Sequence, residues 1–204
     1  MSDTSIQDMS LNVRSLPVGT AGRRGVGYWG LLTFLASEAA LFGYLIFSYA
    51  YIGVQLDPSL AAAARLSFTF AVPMTIVVII SSIVLSWGER AIQRGRTHTL
   101  AVALIIALIL SISFVVLELF EWKSLPFTLT SSALSSAYFL TTGMHLAHFI
   151  AGIIALLFFI PWVMLGYFDA ARNTHVLVII DYWHFVHAVW GVIFIAIYCV
   201  PYLG

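Results

Sequence analysis

Residues 134–166 read LSSAYFLTTGMHLAHFIAGIIALLFFIPWVMLG, an apolar run without one Asp, Glu, Lys or Arg. About 20 such residues cross the hydrocarbon of a bilayer as a helix. This run is longer, so it crosses at a strong tilt or includes interfacial turns. Four other runs reach spanning length, near 28–53, 68–88, 99–120 and 177–202. Lipid admits only helices and closed barrels, because every backbone N–H and C=O must be satisfied within the protein. Continuous apolar runs argue for helices. The fold class is therefore an all-α membrane protein, a bundle of five transmembrane helices.

The composition agrees. Of 204 residues, 61% are hydrophobic and 9% charged, against roughly 25% charged in a soluble domain. Net charge is zero and no basic block occurs, which argues against nucleic acid as a partner. The single cysteine, Cys199, excludes an intrachain disulfide and a cysteine-based cluster. Residues 1–27 form a polar N-terminal segment without the apolar core of a signal peptide, and residues 28–204 form one five-helix domain. Arg14, Arg23, Arg24, Arg90, Arg94, Arg96 and Arg172 fall on one side of the predicted spans, and Arg65 and Lys123 on the other. The excess of basic residues marks the inner side. The N-terminus is expected in the cytoplasm and the C-terminus in the periplasm. Trp29, Trp87, Trp122 and Trp183 stand near predicted helix ends, where interfacial anchors are expected.

Ionisable groups at membrane depth are costly and tend to be functional. His145 and His148 lie in one run, His184 and His187 in another, and Glu38 in the middle of the first. At about 1.5 Å per residue, Glu38, His148 and His187 fall in one layer near the midplane, with His145 and His184 toward opposite faces of it. Residues three apart share a helix face, so each histidine pair is expected to point into the bundle. Three readings follow. The histidines ligate haem or a metal, they form interhelical hydrogen bonds with Glu38, or Glu38 lies on a proton path. A di-iron bundle calls for Glu-x-x-His on two helices, which is absent. Two haems need ligands well separated along the axis, whereas a spacing of three gives only about 4.5 Å. Interhelical hydrogen bonding is the reading the residues favour. Glu118 and Glu121, at the outer end of the third span, read as a wet interfacial edge rather than a catalytic pair. Asp181 reads as an acid in a helix's first turn, suited to the helix dipole. Small residues in the first span, among them Gly30, Ala36 and Gly43, allow close helix approach.

Taken with their neighbours, these residues form a wider pattern. Thr141–His148 (TTGMHLAH) resembles the Ala-Thr-Gly-Phe-His-Gly-Leu-His segment of subunit III of haem–copper respiratory oxidases. Tyr182–Trp190 (YWHFVHAVW) resembles that family's Tyr-Trp-His-Phe-Val-Asp-Val-Val-Trp. Ser37–Phe42 (SEAALF) is similar to its Ser-Glu-x-x-x-Phe. Glu118–Glu121 (ELFE), followed by Pro126-Phe127-Thr128, is similar to its Glu-Tyr-x-Glu and Pro-Phe-Thr. The order holds along nearly the whole chain, outside residues 1–27. His187 stands where the family usually has aspartate, Met144 where it has phenylalanine and Ala147 where it has leucine.

The resemblance implies the five-helix bacterial form, in the plasma (inner) membrane, without the two further N-terminal helices of the seven-helix form. It implies a non-catalytic subunit of a proton-translocating cytochrome c oxidase, with no redox centre of its own. Haem and copper would lie in the partner subunits. Direct contact with subunit I is implied, beside subunit II and, where one exists, a small subunit IV, together with structural phospholipids and support of proton uptake. Glu38 would be the buried carboxyl group. His145, His148, Trp183, His184 and His187 would form its polar network or pack against lipid or subunit I. Subunit III of a quinol oxidase, an accessory subunit of nitric oxide reductase, a di-haem b electron carrier and a proton channel around Glu38 are the alternatives. Co-purifying subunits, and the haem spectrum of the isolated chain, discriminate them.

Overall fold

The computed structural model describes residues 26–55, 66–168 and 173–202. Arg14, Arg23, Arg24, Arg65 and Arg172, on which the expected orientation leans, lie outside the described residues, as does nearly all of the expected N-terminal segment. The described residues form five long helices: α1 (Val26–Val54), α2 (Phe68–Gln93), α3 (Thr97–Ser124), α4 (Ala133–Met164) and α5 (Thr174–Ile193). The last continues through a π-helical turn, Phe194–Cys199, into a 3-10 turn, Val200–Tyr202. All five are long and apolar enough to cross a membrane, and no strand occurs among the described residues. The protein is therefore an all-helical, multi-pass membrane protein.

Local chemistry sets the ends. Ser67 caps α2, its hydroxyl accepting from Thr69 N at 3.2 Å. Ser132 and Ser135 form a reciprocal capping box at the start of α4, with bonds of 3.1 and 2.8 Å. Gly95, at φ 72°, closes α2, and the next residue, Arg96, donates its N–H back to Ala91 O at 2.9 Å. The helix thus runs past the apolar run that ends near residue 88. It continues through Glu89 and Arg90, and Gln93 Nε2 donates to Glu89 Oε1 at 3.2 Å.

Packing proceeds largely between sequence neighbours. α2 lies along α3, α3 along α4, and α5 rests on α2, α4 and α1. The centre is aromatic. Phe114 of α3 stacks on Phe149 of α4 with ring centroids 4.1 Å apart, and Trp190 of α5 meets Phe114 edge-on at 4.9 Å. Helix α1 buries least. Its only buried described side chains are Phe42, Leu45 and Tyr49, one stripe facing α4 and α5. Nothing lies within contact of a side chain built at Gly30 or Gly43. Gly30 and Gly43 therefore approach no helix among the described residues, whereas Gly53 faces Leu134 of α4.

Candidate functional site

Helix α1 meets the bundle at a polar joint. His148 on α4 lies with Nε2 2.9 Å from Glu38 Oε2 on α1, at 12% and 18% side-chain exposure respectively. The other ring nitrogen, Nδ1, lies 2.7 Å from the carbonyl oxygen of Met144, one turn earlier. A carbonyl only accepts, so Nδ1 carries a proton and donates it. One further proton is then shared between Nε2 and the carboxyl group, and the pair is net neutral on either atom. The same histidine is fixed from α5, where Tyr182 donates its hydroxyl to His148 O at 2.9 Å. Phe42, one turn along α1 from Glu38, puts its ring edge-on against His148 at 5.0 Å and against His145 at 6.2 Å. Three helices are thus joined at Glu38, His148 and Tyr182.

The remaining histidines do not join this group. His145 is buried in the aromatic core, stacked on Trp190 at 5.5 Å, with Nε2 donating to Val186 O at 3.2 Å. His187 turns toward α2, where its Nδ1 lies 2.8 Å from Ser82 Oγ. His184 reaches the same helix, with Nδ1 3.5 Å from Ser82 Oγ and Nε2 3.5 Å from Ser86 Oγ. The expected single layer around Glu38 therefore separates into three settings. Glu38 and His148, counted to one level along their helices, meet at 2.9 Å. Rotation about the α5 axis carries His184 and His187 to α2 instead.

Trp183 differs from its expected interfacial place. It is fully buried, because α5 begins at Thr174 and the residue sits more than two turns inside. A Cβ built on Gly152 of α4 would come within 2.7 Å of the Trp183 ring. Only a glycine lets the indole lie flat against α4. The early start of α5 also takes Asp181 out of the first turn, so the dipole explanation does not apply to it. Trp29 and Trp87 are exposed, as anchors are.

Glu118 and Glu121 are not a wet edge. They are 1% and 3% exposed. Helix α3 runs on to Ser124, and Tyr138 of α4 and Tyr198 of the π-helical turn lie against its C-terminal end. Tyr198 donates to Glu121 Oε2 at 2.8 Å, and Tyr138 lies 3.4 Å from the Tyr198 hydroxyl. Neither oxygen of Glu118 has a partner of good geometry. Trp122 and Thr142 lie near enough to act on it. Their hydrogens are engaged elsewhere, Trp122 Nε1 donating to Thr142 Oγ1 at 3.2 Å and Thr142 to Tyr138 O at 3.1 Å.

Comparison with known proteins meets these observations at the same residues. The family model described as "Cytochrome c oxidase subunit III" matches residues 18–202, a range that contains the Glu38–His148 joint and the buried acidic pair. The chain belongs to the cytochrome c oxidase subunit III family. The protein named "Probable cytochrome c oxidase subunit 3" of Mycobacterium leprae is 32% identical over 172 residues, covering 83% of this chain and 85% of the relative. "Cytochrome c oxidase subunit 3" of Corynebacterium diphtheriae is 31% identical over 175 residues, with the same two coverages. That of Drosophila melanogaster is 27% identical over 179 residues, covering 68% of the relative. This chain is thus a subunit III of a haem–copper oxidase, and it belongs with other oxidase subunits in a membrane complex.

Several residues of this subunit III were not singled out from sequence. Tyr182 lies in a quoted motif, but nothing in its spacing marks its bond to a carbonyl of α4. Tyr198 is 77 residues from its carboxyl partner, and its direction depends on the π-helical turn. Ser82 is a small hydroxyl in an apolar span; its role follows from His187 facing it.

Proposed function

We propose that this chain is the non-catalytic subunit III of a bacterial terminal oxidase of the cytochrome c type, in the plasma membrane with its N-terminus inside. It covers one side of subunit I, beside subunit II and a small subunit IV where one is present. It stabilises subunit I during turnover, supports its proton uptake and holds phospholipid. The haems and copper belong to the partner subunits, and this chain supplies no ligand to them. One observation carries the reading. The Glu38–His148–Tyr182 joint fixes α1 to the bundle by its inner stripe. The rest of α1 is left bare, with Trp29, Phe34, Tyr44, Phe47 and Tyr51 exposed. A helix held by one edge, with aromatics on its outer face, suits burial against a larger membrane partner.

Affinity purification of the tagged chain from native membranes tests this. The expected product contains an oxygen-reducing haem–copper subunit I and oxidises cytochrome c. A complex that reduces nitric oxide instead refutes the assignment, and one that oxidises only quinol corrects the donor. A b-type haem spectrum from this chain alone, lost in His148→Ala, would replace it with an electron carrier.

A further inference from the structure

We propose that Tyr198 is a one-electron redox site, which gives its electron to an oxidised Trp190 and its phenolic proton to Glu121. The arrangement at the hydroxyl suits that reaction. Tyr198 and Glu121 are 0% and 3% exposed, and the hydroxyl donates to Glu121 Oε2 at 2.8 Å. A phenol that loses an electron becomes a strong acid. In a buried site no bulk water takes up its proton, so the acceptor must already be in hydrogen-bond contact. Glu121 is hydrogen-bonded by both Tyr198 and Tyr138, and a carboxylate accepts on both oxygens. Tyr198 itself lies on the π-helical turn Phe194–Cys199, and such turns recur at functional sites.

A line of buried rings leads to it. Trp183, Trp190 and Tyr198 are oxidisable and at most 1% exposed. They follow one another at spacings of seven and eight residues. Seven residues return to nearly the same face of an α-helix, and eight do not. The π-helical turn takes up the extra residue and keeps Tyr198 in line with the two tryptophans. The rings touch from end to end. Trp183 meets Phe149 at 5.3 Å, Phe149 stacks on Phe114 at 4.1 Å, Phe114 meets Trp190 at 4.9 Å, and Trp190 lies 6.3 Å from Tyr198. Phenylalanine is too hard to oxidise to be a station, but it fills the gap between the tryptophans, a rise of about 10 Å. Aromatic packing accounts for these ring contacts. It leaves over the phenol hydroxyl set on a buried carboxylate where the line ends.

The oxidant takes one electron from Trp190 and leaves an indole radical cation. Tyr198 gives one electron to that ring while its O–H bond breaks and the proton bonds to Glu121 Oε2. The products are the reduced oxidant, neutral Trp190, a neutral tyrosyl radical and a glutamic acid. In the cell the oxidant is a peroxide-oxidised haem of a partner subunit, and for this source alone the inference rests on the oxidase reading. Tyr198 then holds an oxidising equivalent away from the place where it forms.

The test uses the whole complex recovered with this chain, in vesicles containing a membrane-soluble ruthenium polypyridyl whose flash-oxidised form removes one electron. Electron paramagnetic resonance of frozen samples is expected to show a tyrosyl radical, narrowed by ring-deuterated tyrosine and not by ring-deuterated tryptophan. Tyr198→Phe should remove this signal and leave an indole radical. Glu121→Gln keeps both rings, removes the proton acceptor and should do the same. Tyr202→Phe, a tyrosine outside the line, should leave the signal unchanged. Fluorinating the Tyr198 ring keeps its hydroxyl and its fold, and should add a fluorine splitting to the radical. A tyrosyl signal undiminished in Tyr198→Phe or Glu121→Gln, or without the fluorine splitting, would overturn the site. Hydrogen peroxide in place of the flash should give the same signal. Its absence there, with the flash signal intact, would overturn the haem as the oxidant. Failure to recover an oxidase with the chain bears on the subunit reading alone, since the flash experiment runs on whatever complex is recovered.

Discussion

Replacing Glu38 by alanine removes the Glu38–His148 contact that ties α1 to the rest of the bundle. Interhelical hydrogen bonds in membranes are worth about 0.6 kcal/mol on average and about 1.7 at most. The truncation also leaves His148 Nε2 without its partner, and an unsatisfied buried group costs about 1–3 kcal/mol. The histidine is 12% exposed, so the lower part of each range applies. The sum is about 2 kcal/mol, roughly 30-fold in the docking equilibrium of α1. Phe42, Leu45 and Tyr49 still hold the helix, so the complex should assemble and loosen rather than fail. Retention of the chain during detergent titration and the turnover lifetime of the oxidase report this. The mechanism itself is tested by a double-mutant cycle with His148→Ala. A coupling of about 1 kcal/mol is expected for groups in direct contact. Additivity within about 0.3 kcal/mol would mean that the two side chains do not work as a pair, and the joint would lose its assigned role.

Gly152→Ala should destabilise the complex by about 1–3 kcal/mol in thermal unfolding, because the new methyl meets the buried Trp183 ring. Adding Trp183→Phe should recover part of this, and no recovery would place the strain elsewhere. Tyr198→Phe should cost about 1–3 kcal/mol by removing the donor from buried Glu121. Tyr138→Phe should cost less, since its contact with Tyr198 is 3.4 Å; the opposite order would show that the tyrosine chain is misread. His187→Phe should lose about 0.5–1.5 kcal/mol with the Ser82 bond. In the Ser82→Ala background the same change should cost much less, and an undiminished loss would argue for packing alone.

The five spans were legible because hydrocarbon demands long apolar runs whatever the tertiary arrangement. Their ends were less so. Helix α2 continues past Trp87 through Glu89 to Gln93. Helix α5 starts at Thr174, and that shift alone moves Trp183 from an expected interface into the core. Within the candidate site, depth could be counted from sequence, and it places Glu38 level with His148, which the structure joins at 2.9 Å. Direction around a helix depends on how neighbours tilt and pack, and a single span's pattern carries little of that when nearly every position is apolar. So His187, at similar depth, faces Ser82 rather than Glu38. Glu118 and Glu121 were misjudged for a related reason. What covers them comes from Tyr138 and from Tyr198 on a π-helical turn, and no local pattern in α3 announces either.

The sequence separation of 110 from Glu38 to His148 also sets a timetable for biogenesis. At about 5–20 residues per second of synthesis, α4 follows α1 by roughly 5–20 seconds. Throughout that interval α1 carries its carboxyl group in an apolar span with no imidazole to pair with it. Insertion of this subunit therefore includes a waiting stage in which its first helix is present but unlatched. Whatever holds that helix then, insertase or neighbouring subunit, must release it when His148 arrives.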